Sequence, residues 1–228
     1  MESRSRGQVF KARELEEEIE MKLPLAKDGA LLIKVFLIFT VASYVLTRLH
    51  WFFYLVLAVF FIATLFLVVF FRDPERDVKI DRNLVLSPAD GTVLNIKKAG
   101  ESQTVEIFMN PLNVHVQRSP VSGVVKSVQY KAGAFLPAYV PKASELNEKN
   151  RILIEGTEGA GIEVVQIAGI MVRRIVSYVK QGDSVAQGQR IGMIKFGSQV
   201  DITLPGNMNI KVKEKDKVKA GITVIASV

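Results

Sequence analysis

The sequence contains no cysteine and only two histidines, His50 and His115, among its 228 residues. The absence of cysteine excludes disulfides, thiol nucleophiles and cysteine-based metal sites. Two histidines are too few for a multi-histidine metal centre, so we expect no metal cofactor. The net charge of +7 suits an anionic partner, which leaves nucleic acid and a membrane surface as alternatives.

Two long apolar runs favour the membrane. Ala30–Leu46 and Trp51–Phe71 have 17 and 21 residues, and the breaks are Lys34 and the short turn 47–50. At a rise of ~1.5 Å per residue, such helices approach or match the ~30 Å hydrocarbon core of a bilayer. The runs predict a helical hairpin in a membrane rather than a nucleic-acid-binding protein. The alternative is a buried helical pair in a soluble core.

Basic residues on both sides of the hairpin predict its orientation. The turn between the two runs carries only Arg48. The positive-inside rule places both flanks in the cytoplasm, so we expect the rest of the chain on the cytoplasmic face of the cell membrane. The flanking basic residues are Arg4, Arg6, Lys11, Arg13, Lys22 and Lys27 before the hairpin, and Arg72, Arg76 and Lys79 after it.

The composition divides the chain into four parts. Residues 1–29 form a charged N-terminal segment, 30–71 the hairpin, and 72–83 a charged linker with one proline. From 84 to 228, short runs rich in valine and isoleucine, such as GTVLNI, TVEIFM and RILIEG, alternate with glycine, proline, asparagine and aspartate. This texture is typical of an all-β sandwich or barrel.

Two internal echoes refine the predicted fold. SPADGTV at 87–93 resembles SPVSGVV at 119–125, and GDSVAQGQRI at 182–191 resembles KDKVKAGITV at 215–224. The pattern D-x-V-x-x-G-x-x-I/V is similar to that of biotinyl- and lipoyl-carrier-like sandwiches, where the glycine makes a turn before the next strand. We therefore predict a mainly β domain of this sandwich or barrel type, preceded by the hairpin. Neither copy resembles a biotinylation motif.

Three side chains in the β-rich part could carry chemistry. His115 alternates with Asn113 and Gln117, which predicts a polar strand face, and a surface histidine is the plain alternative. Asp90 lies in the turn SPADG, where it could serve the turn alone. Ser198 could be a mere packing irregularity. Together they supply a nucleophile, a base and an orienting carboxylate.

The pair Gly197-Ser198 interrupts the strand pattern RIGMIKFGSQVDITLPG at 190–206. A glycine before the serine lets the peptide adopt strained geometry, so the hydroxyl can attack the preceding carbonyl. The resulting ester can break by elimination, and hydrolysis then leaves a pyruvoyl group at the new N-terminus. Such a group is a carbonyl electrophile made without cysteine or a bound cofactor.

On these residues the chain resembles the membrane-associated phosphatidylserine decarboxylase family of pyruvoyl-dependent enzymes. It looks like the compact branch, which includes bacterial phosphatidylserine and archaeal archaetidylserine decarboxylases. Larger members have Leu-Gly-Ser-Thr at the cleavage site and a second histidine in the loop that holds His115, so this chain departs from them. The matching stretches are FFRDPER (70–76), SPADG (87–91), NPLNVHVQRSP (110–120), QIAG (166–169), RRIV (173–176), GDSVAQGQRIGMIKFGSQVD (182–201) and KVKAG (217–221).

The resemblance implies a reaction and its machinery. Cleavage between Gly197 and Ser198 would give a β chain of residues 1–197 and an α chain of 198–228, held as a heterodimer, with a homo-oligomer left open. Ser198 would become the pyruvoyl group, which forms a Schiff base with phosphatidylserine and releases phosphatidylethanolamine. His115 would be the base and proton donor, and Asp90 its orienting carboxylate. The candidate cations for the lipid phosphate are Arg118, Arg173 and Arg174.

Other functions remain open. An archaeal ether lipid, archaetidylserine, is an alternative substrate. A pyruvoyl enzyme for a soluble substrate gives no reason for the hairpin. A non-enzymatic, membrane-tethered β-sandwich carrier or adaptor predicts no chain break and no requirement for Ser198.

Overall fold

A computed structural model describes residues 24–134, 146–156, 159–169, 175–195 and 198–228. The boundary between its two compact units falls between Glu75 and Arg76, inside the segment 72–83 that the sequence predicts as a linker. The four predicted parts of the chain stay predictions. The fold class is confirmed, because the structure is mainly β with two apolar helices before the sheets.

The first unit contains the predicted hairpin as two helices, α1 (Lys27–Leu46) and α2 (Phe52–Phe70). Both helices are long and apolar enough to cross a membrane. They pack through the rings of Phe39 and Phe60, whose centroids are 5.2 Å apart, and through the hydroxyls of Thr40 and Thr64 at 3.0 Å.

The described residues of the second unit form three sheets. The strands are β1 (Leu84–Leu86), β2 (Gly91–Ala99), β3 (Ser102–Met109), β4 (Val116–Arg118), β5 (Gly123–Lys131), β6 (Lys149–Gly156), β7 (Gly161–Ala168), β8 (Ile175–Ser177), β9 (Ser184–Val185), β10 (Arg190–Ile194), β11 (Ser198–Pro205), β12 (Asn209–Ile210), β13 (Lys217–Val218) and β14 (Val224–Ser227). The largest sheet has the order β13-β2-β3-β11-β7-β6-β5-β9, and the two small sheets have the orders β1-β14-β12 and β4-β10-β8. All pairings between these strands are antiparallel.

The two sequence echoes occupy matching positions in the structure. The SP turns precede β2 and β5, and the D-x-V segments form β13 and β9, which pair with those strands. The backbone N–H of Gly221 donates to Ser87 O, and that of Gly188 donates to Ser119 O, at 2.9 and 2.8 Å. Both glycines have positive φ, 69° and 79°, so the predicted turns before the next strands are present.

Strand β11 lies inside the large sheet, between β3 and β7. Its alternate residues Val200, Ile202 and Leu204 are at most 1% exposed and belong to the main apolar core. Burial of side chains of this size stabilises the fold by roughly 2 kcal/mol each. The segment from 198 to the end is therefore an integral part of the core.

Two details of the predicted strands are wrong. Arg190–Gly206 is not one strand interrupted by Gly-Ser. Its residues form β10 and β11, which belong to different sheets, and Ser198 is the first residue of β11. His115 lies before β4 rather than within a strand, and its side chain is buried, at 0% exposure. The histidine is not on the surface, because the polar alternation of the sequence faces the interior here.

Candidate active site

Two chain connections join the large sheet to the small sheet β4-β10-β8. Residues 110–115 lead from β3 to β4, and residues 195–197 lead from β10 to β11. The end of β3 is paired with the start of β11 in the large sheet, and the start of β4 is paired with the last part of β10 in the small one. The topology thus brings the segment with His115 beside the start of β11.

The predicted cleavage site lies at the start of β11. Ser198 is the first residue of β11, and its backbone is in register with Met109 on β3 and Ala168 on β7. Gly197 lies outside the described residues. The chain is therefore anchored on both sides from position 198 onward.

The turn before His115 is built by its two asparagines. The backbone N–H of Asn110 donates to Asn113 Oδ1 at 2.8 Å, and the backbone N–H of Leu112 donates to Asn110 Oδ1 at 2.8 Å. Such local side-chain bonds are what favour asparagine in turns. They fix the backbone of this turn immediately ahead of His115.

His115 is held by its own turn. Its Nδ1 lies 2.9 Å from the backbone oxygen of Asn113. A carbonyl oxygen can only accept, so Nδ1 carries the proton. In the neutral ring the buried Nε2 then has the lone pair and can accept a proton. The backbone N–H of Ile194, at the end of β10, donates to His115 O at 3.2 Å.

Asp90 has a different set of partners from the one that the sequence predicts. Arg76 Nη2 lies 3.1 and 2.9 Å from its two carboxylate oxygens, and the backbone N–H of Ala220 donates to Oδ1 at 2.8 Å. Within the described part of the chain, the carboxylate makes these hydrogen bonds and none to His115. Asn113 O occupies the side of the ring where an orienting carboxylate was expected.

Part of the Asp90 geometry belongs to the fold. In SPVSGVV, the other copy of the same repeated segment, the matching residue is Ser122, whose Oγ accepts from the backbone N–H of Gln187 at 2.9 Å. Both SP turns therefore have a side-chain oxygen at this position that accepts a backbone N–H. The pairing with Arg76 is additional, and sequence reasoning missed it because FFRDPER reads as a charged linker. The available signal was the presence of Arg76 in a motif shared with the family.

Of the three candidate phosphate ligands, only Arg118 lies in the described residues. It is 5% exposed, and its Nη1 donates to Gly188 O at 3.0 Å. This contact fastens β4 to the turn of the second echo. Arg173 and Arg174 lie outside the described residues, so phosphate binding stays a prediction for all three. Among the residues that the structure describes, no three acidic or histidine side chains converge as a metal site.

Comparison with known proteins identifies the family. The profile of phosphatidylserine decarboxylases matches residues 63–226. The chain belongs to the phosphatidylserine decarboxylase family. The match covers the end of the second helix, nearly all of the β-rich unit and both predicted cleavage residues, so the resemblance to the family is confirmed.

Relatives of this decarboxylase family carry two substrate names. A protein of Methanosarcina acetivorans with the provisional name archaetidylserine decarboxylase proenzyme is 50% identical over 165 residues, 72% of this chain and 76% of that protein. The phosphatidylserine decarboxylase proenzyme of Solidesulfovibrio magneticus is 43% identical over 208 residues, 89% of this chain and 95% of its own. That of Paraburkholderia phymatum is 44% identical over 174 residues, 74% and 82% of the two chains. All three are named as proenzymes.

Proposed function

We propose that this protein decarboxylates phosphatidylserine to phosphatidylethanolamine, using a pyruvoyl group that it makes from Ser198. The observation that carries the proposal is the position of Ser198. It begins β11 and its backbone is paired with Met109, the last residue of β3, directly before the connection that holds His115. Membership of a family whose named relatives are decarboxylase proenzymes supports cleavage and the reaction together.

The sheet fits a group formed at position 198. A new N-terminus there would be the first residue of β11. This strand is in register with β3 over eight residue pairs and with β7 over six. A cut before Ser198 breaks none of these pairings. The α chain would also keep β12, β13 and β14 in their sheets. We therefore expect the two chains to stay together as a heterodimer until they are denatured.

His115 would move the protons. For self-cleavage, Nε2 takes the hydroxyl proton of Ser198 while the oxygen bonds to the carbonyl carbon of Gly197. The imidazolium then gives this proton to the amide nitrogen as the C–N bond breaks, which leaves an ester and a free amine. When bound at position 198, the pyruvoyl ketone supplies the electron sink that lets the serine headgroup lose its carboxylate. His115 is also the proposed donor that returns a proton to the α carbon. The orienting role that the resemblance implies for Asp90 is kept as part of the proposal.

The hairpin supports a lipid substrate. Helices α1 and α2 would anchor the enzyme in the cytoplasmic membrane, with the β-rich unit on the cytoplasmic side. Arg118, Arg173 and Arg174 remain the proposed phosphate ligands. The 50% identity to a protein named for archaetidylserine favours that ether lipid as a second candidate substrate.

A mass measurement on the full-length protein tests cleavage. Denatured wild type should give two chains, the shorter lighter by one ammonia than a chain that starts with serine. Ser198→Ala should stay as one chain without activity, because the attacking oxygen is missing. Ser102→Ala is the matched control, because Ser102 is likewise the first residue of its strand, β3. An intact, active wild-type chain contradicts the proposal.

A lipid assay tests the reaction. Cleaved enzyme is incubated with vesicles of phosphatidylserine or of archaetidylserine, and release of carbon dioxide is followed. We expect turnover of at least the diacyl lipid, and the ratio of the two rates identifies the preferred backbone. His115→Ala should remain uncut. A cleaved enzyme that decarboxylates neither lipid, or only free amino acids, refutes the substrate assignment.

A further inference from the structure

A chain of buried side-chain amides runs from β6 to His115. Asn150 Nδ2 donates to Gln166 Oε1 at 2.8 Å. Gln166 Nε2 donates to Gln117 Oε1 at 2.8 Å, and Gln117 Nε2 donates to the backbone oxygen of His115 at 2.8 Å. The three amide residues are at most 3% exposed. Each amide oxygen accepts and each nitrogen donates, so the order of the bonds has one direction. We call these three residues the amide chain.

The amide chain flanks position 198 on both sides. Gln166 stands two residues from Ala168, a backbone partner of Ser198. Gln117 Nε2 also lies 3.7 Å from the sulfur of Met109, the partner on the other strand. The amide chain therefore connects the strands on both sides of Ser198, β3 and β7, to the backbone of His115, the proposed base.

The internal echo shows that the fold does not require a polar residue at the position of Gln117. Gln117 opposes Gly192 beside a register shift between β4 and β10. At the equivalent place before the first SP turn, Val85 lies opposite Ala226, beside the matching register shift between β1 and β14. Val85 is 1% exposed and belongs to the apolar core. A valine thus satisfies this position, whereas a buried amide costs free energy unless every polar atom is bonded.

Gly192 makes room for the amide chain. A Cβ at this position would lie 2.6 Å from Gln166 Nε2 and 2.6 Å from the backbone oxygen of Val176. The equivalent residue in the β1–β14 pair, which lies opposite Val85, is the larger Ala226. The space that the smaller residue leaves is where the Gln166 amide passes between the large sheet and the small one.

We infer that Gln117 and Gln166 are positioning residues for self-cleavage, which hold His115 in place for its proposed action at Ser198. The inference rests on the proposed function. The backbone oxygen of His115 receives N–H groups from Gln117 and Ile194, and its Nδ1 is tied to Asn113. With the backbone and one ring nitrogen fixed, the direction of Nε2 is fixed as well. Loss of the Gln117 bond lets the base shift, and a misplacement of ~1 Å can slow a reaction about a hundredfold.

The first test compares two buried glutamines in the full-length proenzyme, translated with phospholipid vesicles and followed by gel over time. Gln117→Met keeps the side-chain length and removes the amide. Gln103→Met is the matched control, because Gln103 is 3% exposed and its Nε2 also bonds backbone oxygens, those of Gly206 and Met208, at 3.0 and 2.8 Å. We expect Gln117→Met to cleave at least ~10-fold more slowly than the control per folded molecule, as judged by protease resistance.

The second test separates positioning from packing through pH. In Gln117→Glu, the protonated carboxyl can accept from Gln166 and donate its O–H to His115, whereas the carboxylate has no donor. The ratio of variant to wild-type cleavage rates should therefore rise as the pH falls. A role in packing alone predicts a ratio that does not change with pH. The double variant with Gln166→Met should be no slower than the slower single variant, because both break the same chain.

The outcomes distinguish this inference from the proposed function. If wild type cleaves, Ser198→Ala does not, and Gln117→Met cleaves at the rate of Gln103→Met, the inference is overturned and the proposed function stands. A flat pH ratio for Gln117→Glu also overturns it. If wild type itself never cleaves, the proposed function is what fails.

Discussion

The buried carboxyl group of Asp201 in the large sheet predicts how the stability of the protein depends on pH. It lies on β11 in register with Glu106 on β3, both are 8% exposed, and its Oδ1 accepts from Gln199 Nε2 at 2.7 Å. The pKa of Asp201 is raised from 3.8 to about 7, with burial as the largest cause. The hydrogen bond from Gln199 and the charges of Lys97 and Lys149 act in the opposite direction, and the charge of Glu106 acts in the same direction as burial. Between pH 3.8 and about 7, the folded protein therefore holds a proton that the unfolded chain releases.

The sign and size of the effect follow from this shift. A rise from 3.8 to about 7 is roughly three pKa units. At ~1.4 kcal/mol per unit it corresponds to about 4 kcal/mol. Because the folded pKa is the higher one, the stabilising contribution is complete below the unfolded pKa of 3.8 and is lost as the pH rises to about 7. Between about pH 5 and about pH 8, the free energy of unfolding should fall by roughly 2–3 kcal/mol from this group.

Asp201→Asn should remove this pH dependence. The assay measures the urea midpoint of the β-rich unit by brief proteolysis of the full-length, detergent-solubilised chain, with Ser198→Ala present so that it stays uncut. With an m value of ~2 kcal/mol/M, the parent midpoint should drop by roughly 1 M between about pH 5 and about pH 8, and the variant should stay nearly level. If the urea midpoint changes with pH to the same extent in both proteins, the prediction of a buried proton on Asp201 is wrong.

A control variant separates charge from a lost hydrogen bond. Asp183 Oδ2 accepts from the backbone N–H of Lys180 at 2.9 Å in an exposed turn. Asp183→Asn should lower the urea midpoint by a similar amount at each pH, so its slope should follow the parent. A slope removed by Asp183→Asn as well would mean that the pH dependence is general rather than local to Asp201.

Two further predictions concern the turns and the topology. Gly188→Ala should destabilise the protein more than Gly221→Ala, by ~1 kcal/mol or more in thermal unfolding. Both have positive φ, but the new Cβ would meet Val78 at 2.4 Å in the first case and the nearest atom at 3.2 Å in the second. Because the chain lacks cysteine, Arg48→Cys should react with an impermeant maleimide in intact cells, and Lys98→Cys only after permeabilisation. The reverse labelling pattern contradicts the orientation.

Much of the fold could be predicted because its signals are local. Valine- and isoleucine-rich runs separated by turn residues coincide with strands, as in GTVLNI within β2 and RILIEG within β6. The two apolar runs coincide with α1 and α2 to within a few residues. The glycines of the D-x-V-x-x-G pattern have the expected positive φ. None of these predictions depended on which strands lie next to each other.

The rest of the site depends on pairing between distant residues. Alternation along Asn113, His115 and Gln117 indicates a polar face, but it does not say that this face is buried. Gln166 interrupts an apolar run and so carried a signal of a buried polar group, yet its partner lies 49 residues away. The Arg76–Asp90 pair likewise joins a segment that reads as a linker to a turn. Such contacts are set by the sheet topology, which composition and spacing do not specify.

The internal repeat allows the role of Asp90 to be tested apart from the fold. The matching Ser122 shows that a hydroxyl satisfies the turn, so Asp90→Ser should keep the bond to Ala220 and lose the charge and the hydrogen bonds that pair Asp90 with Arg76. We expect a stability loss of ~2 kcal/mol, as for a charged hydrogen bond, and self-cleavage slowed by ~10-fold or more.

Ser122→Ala is the control for that comparison, because it removes the equivalent turn bond without touching any charge. It should lower the thermal midpoint and leave the cleavage rate per folded molecule unchanged. If Asp90→Ser cleaves at the same rate as Ser122→Ala, Asp90 serves the turn alone. The orientation of His115 would then rest on Asn113 and the amide chain, since their contacts fix its ring and its backbone.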